Sequence, residues 1–302
     1  MKKRFLLTVL ALFACSFACL FAMPVPAYAD TGPKPSVVVT FQNLKQKDCY
    51  VTLLAEEGNT GPHSVYDPSA GNKYISEDGT PEIWQKFVDY KDADGFHFLQ
   101  FYRKLGSDGV FRWGYYAPTK EFKILMYFPD DNRFAVSREI YRPYAFDSYF
   151  TVDASALNAS PVPNGTDIRA VKSYNYAGEA WSLLARTVIT IVIELLIALP
   201  FGYRSKQQLG FIALVNVATQ LILNILLNLV NYQQGGLMYL LVYILLELFV
   251  LSLEAVIYSH SVTLVKYAKP DVKLHPIGYA FVANLASYAA GLALFLLIPV
   301  IF

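Results

Sequence analysis

Four apolar runs crowd the C-terminal part of the chain, at about residues 181–201, 209–231, 237–259 and 276–301. Each is long enough to cross the ~30 Å hydrocarbon core of a bilayer as a helix. Residues 179–302 hold only 6 Lys/Arg and 5 Asp/Glu, whereas residues 30–178 hold 16 and 19. The expected architecture is a water-soluble domain followed by an all-α, four-helix transmembrane bundle. Only 16% of the 302 residues are charged and the net charge is +1, against roughly 25% charged residues in a soluble domain. Such a balance excludes a disordered chain, a basic nucleic-acid binder and an ordinary cytosolic enzyme. The lipid bilayer is the expected partner, and no nucleic acid is.

The short loops orient the bundle. Loop 202–208 carries Arg204 and Lys206, and loop 260–275 carries Lys266, Lys269 and Lys273 against Asp271. Loop 232–236 is uncharged. The positive loops belong to the cytoplasm, which places residues 30–178 outside. The N-terminus agrees. Lys2, Lys3 and Arg4 precede an apolar stretch from Phe5 to Met23, and Ala27-Tyr28-Ala29 forms a small-x-small cleavage site. Residues 1–29 therefore read as a secretory signal peptide. Its removal leaves Cys49 as the last cysteine, a small buried hydrophobe in a strand rather than a reactive thiol.

Polar residues interrupt the apolar runs. Glu194 lies near the middle of the first, and Glu247 and Glu254 lie seven residues apart in the third. Asn216, Gln220, Asn224 and Asn228 form an i, i+4 stripe on the second, with Thr219 beside it, and the fourth carries Asn284 and Ser287. A charged carboxylate at the bilayer centre costs ~2.5–3.5 kcal/mol on insertion scales. Neutralising a Glu at pH 7 costs roughly 3.7 kcal/mol from its reference value. No Lys, Arg or His lies deep in any run. The glutamates must be protonated, be solvated by amides and water, or hold a cation. Two readings stand: an intramembrane proton or cation site at Glu194, Asn216, Thr219, Gln220, Asn224, Glu247, Glu254 and Asn284, or polar glue between helices worth ~0.6–2 kcal/mol per contact. A third is an interface for another membrane subunit.

Residues 30–153 read as about seven short strands rich in aromatic and β-branched residues, which suggests an immunoglobulin-like β-sandwich. The runs are 37–41, 49–54, 96–102, 111–116, 122–128, 134–136 and 148–152. An insertion from Glu56 to Gly95 contains Thr80-Pro81, a helix start, followed by Trp84, Phe87 and Val88 on one face. Asp92-Ala93-Asp94-Gly95 has part of a calcium-loop pattern, but a turn before a strand explains it as well. Arg112, Trp113, Tyr115 and Tyr116 are the candidate binding surface, because consecutive aromatics on a strand cannot all face inward. Residues 154–178, rich in Ala, Ser, Asn, Pro and Gly, read as a linker. No catalytic motif, metal set or cofactor loop is readable, so no enzyme, metal or cofactor is expected.

Several runs carry a resemblance: Glu194-Leu195-Leu196-Ile197-Ala198, Phe201-Gly202-Tyr203-Arg204-Ser205-Lys206, the Asn216/Gln220/Asn224 stripe, Glu254-Ala255-Val256-Ile257-Tyr258, and Tyr127-Phe128-Pro129 through Ala145-Phe146-Asp147-Ser148-Tyr149. Together they resemble uncharacterised signal-peptide-bearing, four-span membrane proteins of Gram-positive bacteria. The resemblance implies location and topology and brings no activity. The leading functional expectation is an exported binding or sensor domain, anchored by the bundle, for an envelope ligand or another membrane subunit. The alternative is a cation- or proton-coupled transporter, or a subunit of one.

Overall fold

The computed structural model describes residues 33–45, 48–268 and 274–297. The signal peptide expected over residues 1–29 lies outside these, as do Lys269, Asp271 and Lys273. The chain divides into two compact units, Gly32–Tyr174 and a helical unit from Asn175 onward.

Among its described residues the first unit holds ten strands in two mixed sheets. They are β1 (Ser36–Gln42), β2 (Tyr50–Ala55), β3 (His97–Phe98), β4 (Arg103–Lys104), β5 (Val110–Trp113), β6 (Phe122–Phe128), β7 (Arg133–Val136), β8 (Asp147–Asp153), β9 (Thr166–Asp167) and β10 (Ala170–Lys172). One sheet runs β10-β8-β1-β5, and the other β3-β2-β6-β7-β9 with β4 beside β2. β1 pairs with β8 in parallel, and so does β7 with β9. Those parallel pairs differ from the all-antiparallel sandwich that the immunoglobulin comparison implies.

Alternation decides what each sheet buries. Val37, Val39 and Phe41 of β1 meet Val51 and Leu53 of β2 and Ile124 and Met126 of β6 in one core between the sheets. The opposite face of β2 and β6 offers Tyr50, Leu54, Leu125 and Tyr127, which pack with Trp84 and Phe87 of α1 (Pro81–Asp89). Covered on both faces, β2 and β6 are buried along their whole length. The α1 helix starts where Thr80-Pro81 predicts, with the Thr80 hydroxyl accepting from the Ile83 amide.

Three boundaries differ from the sequence reading. The run 96–102 is not one strand: β3 ends at Phe98, Gln100 takes a left-handed φ of 60°, and β4 begins only at Arg103. Its side chain then anchors the insertion through Tyr74 N, Ser64 O and Asn72 O. The strand expected over 111–116 stops at Trp113, with Tyr115 and Tyr116 at φ 58° and 65°. Residues 154–174 are not a linker. Leu157, Val162 and Ile168 enter the core, and β10 pairs with β8. Their polar spacing hid single apolar anchors too far apart to register as periodicity.

The helical unit contains α2 (Tyr176–Ala198), α3 (Lys206–His260), α4 (Val262–Lys266) and α5 (Pro276–Leu297). Asn175 caps α2 through the Gly178 amide. Ser205 and Gln208 form a reciprocal capping box at the start of α3, and Gln208 Nε2 reaches Leu264 O at 2.8 Å. The 55 residues of α3 are interrupted at Gly235, whose φ 78°, ψ 178° is non-helical. That backbone region is essentially restricted to glycine. Among the described residues two helices, α2 and α3, are long and apolar enough to cross a membrane. Leu184, Val188, Val192 and Leu196 form an exposed i, i+4 stripe on α2, and Leu214, Val217, Leu221 and Ile225 lie exposed on α3. Exposed apolar stripes of this length are what lipid, rather than water, would cover.

Candidate functional site

The polar residues of the helical unit turn inward. α2, α3 and α5 pack against one another, and Glu194, Asn216, Glu254 and Asn284 are buried at 0–3% exposure. The break at Gly235 folds α3 back, so that Thr219 before it meets Glu254 after it. Thr219 Oγ1 donates to Glu254 Oε1 at 2.8 Å, and Asn284 Nδ2 donates to Glu254 Oε2 at 2.8 Å. Glu254 is thus held from two sides, each oxygen by one donor.

Glu194 is not. Neither of its carboxyl oxygens has a hydrogen-bond partner. Asn216 and Ser287 stand close enough to act on the group, and Glu254 and Glu247 face it electrostatically, yet no normal hydrogen bond forms. Asn216 spends both amide protons elsewhere, on Ile212 O at 3.1 Å and Tyr258 OH at 3.2 Å. Asn284 spends its second on Ala280 O at 3.0 Å. Ser287 donates to Asn284 O. Asn216 Oδ1 and Asn284 Oδ1 are therefore left buried without a donor. The centre has a surplus of acceptor oxygens and a shortage of protons.

Tyr258 and Tyr279 complete the surround, and Tyr279 OH donates to the Glu194 backbone carbonyl at 3.2 Å. Ile212, Ala280 and Ala283 are wholly buried around them. Sequence reasoning weighed carboxylates and amides and passed over these tyrosines. The signal was present, because Tyr258 follows Glu254 by one helical turn.

The other predicted members divide. Gln220 and Asn224 bond to each other through Asn224 Nδ2 at 3.3 Å. Glu247 is only half-buried and lies beside Tyr243, one turn back on its own helix. Glu194, Asn216, Thr219, Glu254 and Asn284 come together, with Ser287 and Tyr258 added.

In the β-domain the structure divides the predicted surface. Trp113 is fully buried, stacked on Phe101 with centroids 4.5 Å apart and edge-on to His63 at 5.5 Å. Arg112 points outward, as strand alternation requires. Tyr115 is exposed, whereas the Tyr116 ring lies against Gly61 with Lys34 over its face. The acidic turn is closed by the protein itself. Lys123 Nζ sits 2.8 Å from Asp92 Oδ1 and 2.8 Å from Asp94 Oδ2, occupying the position a cation would need. Burial alone would lower the lysine's pKa, but the two carboxylates outweigh it and hold it above the ordinary value. Cys49 is wholly buried, and burial pushes its thiol up to about 12. An open hollow of about 280 Å³ lies between α1 and β3, walled by Tyr66, Tyr90, Lys91, Phe96, His97 and Phe98.

No protein family, curated protein or solved structure matches this chain.

Proposed function

We propose that the chain is a multi-pass plasma-membrane protein that exports its β-domain and handles a proton or small cation among its helices, as a coupled transporter or transporter subunit. Its four spans are α2, the two limbs of α3 on either side of Gly235, and α5. Arg204, Lys206 and Lys266 gather at one end of these helices. The connection at the other end, residues 232–236 around Gly235, carries no charged residue, and there the Tyr176 and Tyr232 rings meet at 6.4 Å. Positive charge on the cytoplasmic side and aromatic residues at the outer interface fit that orientation, and so does the signal peptide read at residues 1–29.

The observation that carries the reading is Glu194: wholly buried, unpartnered at both oxygens and beside a second carboxylate. A helix bundle serving only as an anchor is better served by an apolar side chain there, since a buried acceptor without a partner costs ~1–3 kcal/mol. Intramembrane ionisable residues mark ion and proton pathways.

A second reading keeps the helices as an anchor and gives the β-domain the work of binding an envelope ligand. The aromatic-walled hollow beside α1 favours it. Ion flux in proteoliposomes separates the two. Wild type is compared with the triple variant Glu194→Gln, Glu247→Gln, Glu254→Gln. Proton or cation flux that vanishes in a folded triple variant supports transport. No flux in either, at equal thermal stability, transfers the function to the β-domain.

A further inference from the structure

We infer that the polar centre is a site for a dehydrated monovalent cation of sodium size, with the Glu194 carboxylate and Asn216 Oδ1 as its primary ligands, Asn284 Oδ1 and the Ser287 hydroxyl beside them, and Glu254 as a fixed second carboxylate. The inference rests on the reading of the helices as membrane spans with an ion-handling centre.

Three features select this ligand class. The first is the donor set. Every available atom is oxygen, from carboxylate, amide and hydroxyl, and oxygen-only sets suit hard cations. Both Asn216 and Asn284 have committed their amide hydrogens, which fixes their Oδ1 atoms as acceptors. The orientation of each amide thus follows from its own bonding.

The second is charge. The titratable groups facing the pair are Glu247, Tyr258 and Tyr279, none of them cationic. Among the described residues no group of three or more His, Cys, Asp or Glu is arranged to hold a metal ion. Two carboxylates, one already bonded from two sides, make a thin site for a divalent ion, which takes six or more oxygens with several charged ones. One free carboxylate with neutral oxygens matches a single positive charge.

The third is size. Ile212, Tyr258, Tyr279, Ala280 and Ala283 close around the centre at 0–1% exposure. Walls packed this tightly exclude an organic cation and favour an ion stripped of its water.

The division of labour follows from the hydrogen bonds. Thr219 and Asn284 hold Glu254 in place whether or not an ion is bound, and Glu194 carries the exchange. The full-length protein in detergent is titrated with NaCl against choline chloride at constant ionic strength and pH. Direct binding is read with radioactive sodium, and thermal unfolding is followed in parallel. Saturable sodium binding that raises the unfolding temperature is expected, weakened at least tenfold in Glu194→Gln and unchanged within twofold in Ser252→Ala, whose hydroxyl bonds only to Leu248 O on its own helix. The wild-type binding measurement stands even if a variant fails to fold, and Asn284→Ala, expected to weaken binding several-fold, gives a second test of the site. Proton flux in proteoliposomes without sodium, lithium or potassium binding would overturn the cation site and leave the proposed function standing. Neither flux nor binding would overturn both. Calcium binding in place of sodium would overturn the monovalent assignment alone.

Discussion

Both units of this protein bury carboxylates, and they treat them in opposite ways. In the β-domain, Asp92 is sealed in and its charge is met by Lys123, a cation the chain supplies at 2.8 Å. In the helical unit, Glu194 is sealed in as completely and no lysine, arginine or histidine among the described residues meets it. A carboxylate neutralised from within is part of the scaffold. A carboxylate left open is available to something that comes and goes. The sequences foreshadow the opposite assignment, because Asp92-Ala93-Asp94-Gly95 has the more ion-like pattern.

The largest effect expected from this contrast is on the closed site. Lys123→Met strands a buried Asp92 and should cost about 3 kcal/mol or more. It would be read as faster hydrogen exchange at β2 and β6 in the full-length protein. Adding Asp92→Leu should restore most of the loss. A single substitution without effect would break the comparison from the β-domain side.

The open site should behave in the reverse sense. Glu194→Leu removes two unsatisfied acceptors, so stability in detergent should hold or rise by about 1–3 kcal/mol while ion flux is lost. Thermal unfolding and flux on the same preparation check this. A destabilised Glu194→Leu would make the residue scaffold after all. Thr219→Val comes next, with an expected loss of about 1 kcal/mol, since a hydroxyl contact between buried helices in a membrane protein averages ~0.6 kcal/mol and reaches ~1.7. Here the sharper reading is flux, which should fall while Glu194 remains intact.

The smallest effect concerns His63, between Phe101 and Trp113. Burial holds its pKa below the ordinary 6.5. Above pH 6.5 neither folded nor unfolded chain carries the proton, and stability is at its full value. Below that, the unfolded chain takes up a proton that the folded domain resists, so the β-domain should weaken slightly on acidification. His63→Phe should flatten the profile in a urea titration. The unreactive Cys49 offers a probe, because its alkylation should follow unfolding of the domain and nothing faster.

How much of this was legible in the chain varies with the kind of signal. The start of α1 was readable to the residue, since Thr80-Pro81 is a local signal that needs no tertiary context. The apolar runs predicted the positions of α2, α3 and α5, and the inward placement of Glu194, Asn216, Glu254 and Asn284 follows from polar atoms avoiding an apolar exterior. The short strands β4, β9 and β10 were invisible, because two or three residues carry no period and are held by partners far along the chain. Trp113 was misread as a surface residue because the left-handed turn at Tyr115 and Tyr116 ends the strand before alternation could be tested. The pairing of Glu254 with Thr219 and Asn284, leaving Glu194 alone, depends on register between helices, which no single-helix pattern encodes.

That register traces to Gly235. Thr219 precedes it by sixteen residues and Glu254 follows it by nineteen, so each lies roughly 24–28 Å along its own limb at 1.5 Å per residue. The glycine acts as the fold line of a hairpin ruler whose matching marks are the donor and the carboxylate. Lengthening either limb by one residue would rotate the mark by about 100° and slide it by about 1.5 Å, pairing Thr219 with a hydrocarbon neighbour. Tolerance to insertion at this fold line is therefore set by the chemistry roughly 24–28 Å along each limb, not by the space at the turn.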